Sequence, residues 1–116
     1  MNIEIARIYE NKEASAAIRI LVDRLWPRGI SKENANLDFW FKEWAPGNDL
    51  RREFHQEQIT WTEFRKKYQQ ELSNKREKIL EDLEELDKRK RFLLLYGAKN
   101  EDRNHAILLK DFLENL

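Results

Sequence analysis

The unbroken apolar run Phe-Leu-Leu-Leu-Tyr at residues 92–96 most constrains the fold of this chain. A strand with one face in water alternates apolar and polar residues, whereas a strand buried on both faces does not. Gly97 and several polar residues follow the run and end it. The run therefore predicts an interior strand of a parallel sheet that is covered on both faces.

Two earlier segments also predict strands. Residues 3–9 place three isoleucines among polar residues, which is typical of a half-buried strand. Residues 17–22 (AIRILV) are apolar and β-branched, which favours an interior strand. Pro27 and Gly29 stop any regular element soon after that second strand.

The segment LDFWFKEW at residues 37–44 fits two structures. Its apolar residues match the spacing of a helix face and also the two-residue alternation of a strand. We favour the strand because the run is short, rich in aromatic residues and ends at Ala45-Pro46-Gly47.

The remaining segments predict helices. The best defined begins at Thr60, because Glu63 stands three residues later and completes a capping box. The other predicted helices are a short one that begins at Ser31, one from Asn48 or Asp49 to Phe54, one over residues 75–88, and a last one that begins at Asn104 or its neighbour.

The predicted order is therefore strand, strand, short helix, strand, three helices, strand and helix. Strands that alternate with helices indicate an α/β fold. We expect a small three-layer fold with a mostly parallel sheet of about four strands flanked by helices. Because neither a linker nor a repeat interrupts the chain, we expect a single α/β domain over residues 1–116.

Composition excludes several kinds of function. Twenty-two basic and 22 acidic side chains cancel, so no global charge attracts nucleic acid or an anionic membrane. The chain has no cysteine, which excludes disulfides, thiolate nucleophiles and zinc–thiolate sites. It has no apolar run long enough for a bilayer and no signal-peptide pattern at its start, so we expect a cytoplasmic location.

The sequence predicts no metal site. Its two histidines are fifty residues apart, and no known metal-binding or phosphate-loop motif is present. The abundant carboxylates leave open a magnesium ion held through a substrate phosphate. No cofactor can be named from the sequence.

Three polar loops follow predicted strands, at residues 23–29, 43–49 and 97–104. In parallel sheets such loops meet at one edge, and ligands bind there. Arginine and lysine side chains and the start of a helix suit a phosphate or a carboxylate. The predicted ligand-binding residues are Arg24, Trp26, Arg28, Lys42, Tyr96, Lys99 and Asn104.

Three residues of the same loops are candidate catalytic groups. His105 is the natural proton carrier, because the ordinary pKa of histidine, about 6.5, is nearest neutrality. Asp23 and Glu43 are the candidate bases, or else the partners that fix the arginines.

Each of these residues also has a plainer structural explanation. Arg24 and Arg28 could simply pair with Asp23 and Glu33 on the surface. Trp26 could belong to the core. A histidine at the start of a helix often serves as a surface or capping residue, and Tyr96 could close the core.

Several segments resemble the family known as domain of unknown function 488, in its short YeaO-like branch. They are LVDRLWPRGISKE (21–33), the W-x-KEWAP segment (40–46), LRREF (50–54), EFRKKYQQEL (63–72) and LLLYGAKNEDRNHAILL (93–109). The resemblance covers nearly the whole chain and implies a cytoplasmic α/β domain of a bacterium or archaeon. It implies no reaction, because none is established for the family. The family's signature falls on Asp23, Arg24, Trp26, Pro27, Arg28, Gly29, Lys42, Pro46, Tyr96, Ala98, Asn104 and His105.

The chain departs from that family in two places. Longer members carry a cysteine at the end of the last strand and a Cys-His-Arg sequence near the last helix. This chain has Leu95-Tyr96 and Asn104-His105-Ala106 there, so thiol chemistry is excluded. It also has Pro46-Gly47 where the short branch usually has Pro-Ser, which removes one hydroxyl from the second loop.

Three functional hypotheses remain. The first is an enzyme or binder for a small anionic ligand, with His105 moving protons and Trp26 packing on a ring. The second is a non-enzymatic interaction module that uses an aromatic surface, supplied in part by its four tryptophans, to bind another protein or itself. The third is nucleic-acid binding through residues 65–67 and 88–91, which zero net charge disfavours.

Overall fold

The computed structural model describes all 116 residues and contains one sheet of four parallel strands. The spatial order of the strands is β1-β4-β2-β3. This confirms the predicted α/β class and the mostly parallel sheet. The strands are β1 (Ile3–Arg7), β2 (Ile18–Leu21), β3 (Phe39–Trp40) and β4 (Phe92–Tyr96).

Five α-helices surround the sheet, and none of them has the length and apolar character needed to cross a membrane. Single 3₁₀ turns at Ile8–Glu10 and Lys42–Trp44 complete the regular structure. The helices are α1 (Lys32–Ala35), α2 (Asn48–His55), α3 (Trp61–Asn74), α4 (Arg76–Glu84) and α5 (His105–Glu114).

Side-chain caps fix the starts of three helices as the sequence predicts. Ser31 caps α1, and Asn104 caps α5 by accepting from the backbone amide of Ile107. Thr60 and Glu63 form the complete capping box of α3. Helix α2 begins at Asn48, but a side-chain cap by Asn48 or Asp49 does not form, because Gly47 precedes the helix and no side chain caps it.

Strand β4 lies between β1 and β2, and all five of its residues are buried. Phe92, Leu94 and Tyr96 face the larger core, which α2 to α5 cover. Leu93 and Leu95 face a smaller core on the other side of the sheet, beneath α1, Trp26 and Trp40. Because both faces of β4 are buried, every residue of the strand is apolar or aromatic.

The segment at residues 37–44 forms a strand only at Phe39 and Trp40. It then leaves the sheet in a 3₁₀ turn because Trp44 is buried at the base of α3 and α4. The indole of Trp44 donates to the carboxylate of Asp82 at 2.9 Å, and its carbonyl accepts from the hydroxyl of Tyr68 at 2.6 Å. The strand prediction is thus confirmed only for the first half of the segment.

Arg19 lies inside β2 and is only 2% exposed. Its guanidinium group donates to the backbone carbonyls of Asn11, Ala35 and Asn36. These three carbonyls belong to the connection before β2 and to the end of α1. The buried guanidinium group of Arg19 thus joins the connection before β2 to the end of α1, beside the smaller core.

Arg19→Met should lower the free energy of unfolding by about 2–3 kcal/mol, because partly buried carbonyls lose their donors. Urea unfolding measures the change. Arg89→Met is the matched control, since that side chain is 91% exposed, and it should leave stability unchanged. Equal unfolding curves for both variants and the parent would contradict this role for Arg19.

Candidate functional site

A cleft of about 780 Å³ opens at the carboxyl end of the sheet. Its walls are the loops after β2 and β4, helix α2, and the start of α3. A second hollow of about 490 Å³ lies beside β1, and none of the predicted site residues lines it. The sequence-predicted residues that line the cleft are Asp23, Arg24, Lys99, Asn104 and His105.

The carboxylate of Asp23 joins the ends of two neighbouring strands. It follows β2 directly, and its Oδ2 accepts a hydrogen bond of 2.8 Å from the backbone amide of Gly97, just beyond β4. Its Oδ1 lies 3.3 Å from Nε2 of His105. Burial raises the pKa of Asp23, whereas His105, the Gly97 amide and Arg51 act in the opposite direction.

His105 is the first residue of α5 and is turned toward the sheet. Its Nε2 lies 2.9 Å from the carbonyl oxygen of Val22, so Nε2–H is the donor to that oxygen. Burial lowers the pKa of His105 and outweighs the attraction of Asp23. The imidazole is therefore neutral at neutral pH, and its Nε2 proton points at the backbone of β2.

Arg24 fastens the first loop to the second. Its Nε donates to the carbonyl of Pro46 at 3.0 Å, and Nη2 donates to that of Ala45 at 3.3 Å. Its Nη1 lies 3.6 Å from the carboxylate of Glu43, which is 59% exposed and does not line the cleft. Arg24 thus pairs with Glu43, and Asp23 is occupied by other groups.

Asn104 and Lys99 both line the cleft from the loop after β4, but they differ in exposure and in their contacts. Asn104 is buried, and its amide donates to the carbonyl of Asn100 at 3.0 Å while its oxygen caps α5. Lys99 is exposed and makes no ion pair or side-chain hydrogen bond.

The structure does not bring Trp26, Arg28 or Lys42 into the cleft. After Trp26 the chain turns at Pro27 and Gly29, whose φ of +77° is left-handed, and Trp26 packs against the smaller core on the other side of the sheet. There Trp26 packs edge-on against Trp40, with ring centres 5.4 Å apart, and Lys42 lies over the Trp40 ring. The plainer explanation of Trp26 as a packing residue therefore describes its position.

Tyr96 also lies outside the cleft. It is the last residue of β4, but it points into the larger core and is 3% exposed, because the alternation along the strand places it on the same face as Leu94. Burial raises the pKa of its hydroxyl.

Sequence reasoning missed two cations of the cleft, Arg51 and Arg103. Arg103 lies in the third loop, one residue before Asn104, where the predicted anion site could have included it. Arg51 lies in the first turn of α2, directly beyond the second loop. Its Nε is buried and has no hydrogen-bond acceptor in the protein.

The charges of the cleft are unbalanced. Arg51, Lys99 and Arg103 make no ion pair, although each lines the same space. The carboxylates that share the cleft are those of Asp23 and Glu57. No three His, Asp or Glu side chains converge to hold a metal ion. The arrangement suits an anion better than a cation.

Gly97→Ala should destabilise the protein by about 1–3 kcal/mol, because the new Cβ would stand 2.9 Å from Oδ2 of Asp23. That oxygen cannot retreat without losing the Gly97 amide. Gly47→Ala is the control, since its Cβ would meet Glu71 only at ordinary contact distance. Equal losses of unfolding free energy in the two variants would contradict the constraint at Gly97.

The stability of the protein should fall as the pH drops from about 7.5 to 5.5. The pKa of His105 is lowered in the folded state, so below the ordinary value of about 6.5 the unfolded chain binds a proton that the folded chain does not. The slope contributed by this group is at most about 1.4 kcal/mol per pH unit. Asp23 contributes to this pH dependence with the opposite sign. Its pKa is raised in the folded state, so above about pH 3.8 the folded chain keeps a proton that the unfolded chain loses, and this group makes stability rise as the pH drops.

Unfolding by urea at both pH values measures this slope. His105→Gln should reduce the slope, and His55→Gln, which changes an exposed side chain, should not. An unchanged slope in His105→Gln would show that this imidazole is not the group responsible.

The comparisons with known proteins agree along the entire chain. The family described as "Inactive DUF488-N3 subclade" matches residues 2–116. The "Uncharacterized protein YeaO" of Escherichia coli is 45% identical over 116 residues, which cover 100% of both chains. "Uncharacterized protein Rv3073c" of Mycobacterium tuberculosis and "Uncharacterized protein Mb3100c" of Mycobacterium bovis are each 32% identical over 96% of this chain and 92% of their own. No solved structure matches the chain. The chain therefore belongs to the DUF488 family, in its YeaO-like branch.

Proposed function

We propose that this protein binds a small organic anion, bearing a phosphate or a carboxylate, in the cleft at the carboxyl end of its sheet. The observation that carries the proposal is the convergence of Arg51, Lys99 and Arg103, three cations without an ion-pair partner. Guanidinium groups bind phosphate and carboxylate through paired hydrogen bonds. The buried Nε of Arg51 lacks an acceptor, and an oxygen of the ligand would supply one.

Binding without turnover is the form of this function that we favour. The matched subclade is described as inactive. Asp23 accepts from the Gly97 amide, the Nε2 proton of His105 is held by the carbonyl of Val22, and Glu43 pairs with Arg24 from outside the cleft. The catalytic assignment of Asp23, Glu43 and His105 stays a prediction, and the present contacts favour a framework role for them. We expect such a binder in the cytoplasm, where small metabolic anions are abundant.

Titration with ribose phosphate and citrate, followed by thermal shift and calorimetry, tests the proposal. At least one of these anions should raise the melting temperature of the parent, since a ligand that binds only the folded state stabilises it. Rising sodium chloride should weaken the binding, because exposed charges are screened.

Arg103→Gln should weaken the affinity about tenfold or more, the expected loss of one charge-assisted hydrogen bond. Arg28→Gln is the matched control, because it removes another exposed loop arginine that lies outside the cleft. The proposal fails if no anion stabilises the parent, or if the two variants bind equally well.

A further inference from the structure

The wall of the cleft that α2 and the start of α3 form is aromatic and apolar. It consists of Phe54, Ile59, Trp61 and Phe64. The rings of Phe54 and Phe64 stack with centres 4.3 Å apart, and the ring of Trp61 lies 5.7 Å from that of Phe54. Phe64 is buried beneath, while Phe54 and Trp61 remain partly exposed. The rings thus form a fixed surface that faces the cleft.

One helix presents both kinds of chemistry to the same space. Arg51 and Phe54 are three residues apart on α2, so they share a face of that helix, and both line the cleft. The capping box at Thr60 and Glu63 fixes the start of α3, and Trp61 is the first residue of that helix. The cationic and aromatic groups are therefore held at fixed positions relative to each other.

The size of the cleft argues against a bare inorganic ion. A volume of about 780 Å³ lies within the range of roughly 300–1,000 Å³ that is typical of sites for organic ligands. An ion held by the arginines alone would leave the partly exposed rings of Phe54 and Trp61 in water. A planar group of the ligand would cover them and gain stacking energy.

We propose that the ligand is an organic anion that carries a planar ring next to its phosphate or carboxylate. The anionic group binds Arg51, Lys99 and Arg103, and the ring packs against Phe54 and Trp61. This inference rests on the proposed anion binding and narrows it to ring-bearing anions. It also places the ring on α2 and α3, whereas the sequence alone assigned that contact to Trp26.

Calorimetry with four probes distinguishes the contribution of the cations to binding from that of the aromatic rings. Ribose phosphate carries the anion alone, adenosine carries a ring without the anion, and adenosine monophosphate and phenyl phosphate carry both. The parent should bind the two ring-bearing phosphates about tenfold or more tightly than ribose phosphate, which is the usual effect of one stacked base. Adenosine should bind weakly, because it leaves the cations unpaired.

Trp61→Leu should weaken binding of the ring-bearing phosphates about tenfold and leave ribose phosphate within twofold. Arg103→Gln should weaken all the phosphates alike and leave adenosine unchanged. Phe54→Leu serves as a second test of the aromatic wall, and urea unfolding identifies any variant that has lost its fold. Tighter binding of adenosine monophosphate than of phenyl phosphate assigns the ligand to the nucleotides, and equal binding assigns it to aromatic anions in general.

Two outcomes would overturn the inference, and they are distinguishable. If ribose phosphate binds as tightly as the ring-bearing probes, and neither Trp61→Leu nor Phe54→Leu alters any affinity, the ring assignment is wrong while anion binding stands. If no phosphate binds the parent at all, both the ring assignment and the proposed function are wrong.

Discussion

The cleft depends on one largely buried carboxylate at the point where β2, β4 and α5 meet. Asp23 follows β2, bonds the amide that follows β4, and lies beside the imidazole at the start of α5. That imidazole in turn donates to the carbonyl of Val22, so the strand end is held twice. Burying a carboxylate is unfavourable unless hydrogen bonds and nearby positive charge compensate. Here Gly97 supplies the hydrogen bond and Arg51 supplies positive charge nearby.

Arg51 consequently has two roles that agree with each other. Its charge favours the ionised form of Asp23, the carboxylate that joins the ends of β2 and β4. Its side chain also lines the cleft, with an Nε that no protein atom satisfies. An anion placed there would be attracted by Arg51 and would also add a negative charge near Asp23. The further cations Lys99 and Arg103 offset that repulsion, which explains why one arginine alone would not suffice.

Local signals made the scaffold predictable from the sequence. The apolar run of β4 and the capping box at Thr60 depend only on neighbouring residues, and both are confirmed. The segment after Trp40 was predictable only in part, because its course depends on Asp82 and Tyr68, which are distant in sequence. Likewise, Arg19 appears in the sequence as one polar residue within an apolar strand. Nothing local shows that three backbone carbonyls will surround it.

The cleft was predictable to the extent that sheet polarity determines it. Parallel strands bring Asp23 and His105 to one edge, and the structure places them there. The same rule could not show that Trp26 packs against the smaller core or that Arg28 lies outside the cleft. It also gave no weight to α2 and α3, although Arg51, Phe54 and Trp61 line the cleft from these helices. Residues in the first turns of helices that follow strand-end loops therefore belong in any search for such a site.

The division of labour in the cleft is compatible with the proposed binding in a subclade described as inactive. A catalytic imidazole must exchange a proton with a ligand, and at Nε2 the proton of His105 is held by the backbone of β2. Anion binding requires only charge and shape. Arginine stays charged throughout the physiological range of pH, and His105 is neutral at neutral pH because burial lowers its pKa. The charge that attracts a ligand is therefore separate from the pair that holds the strands, so the fold depends on pH through His105, a residue of that pair.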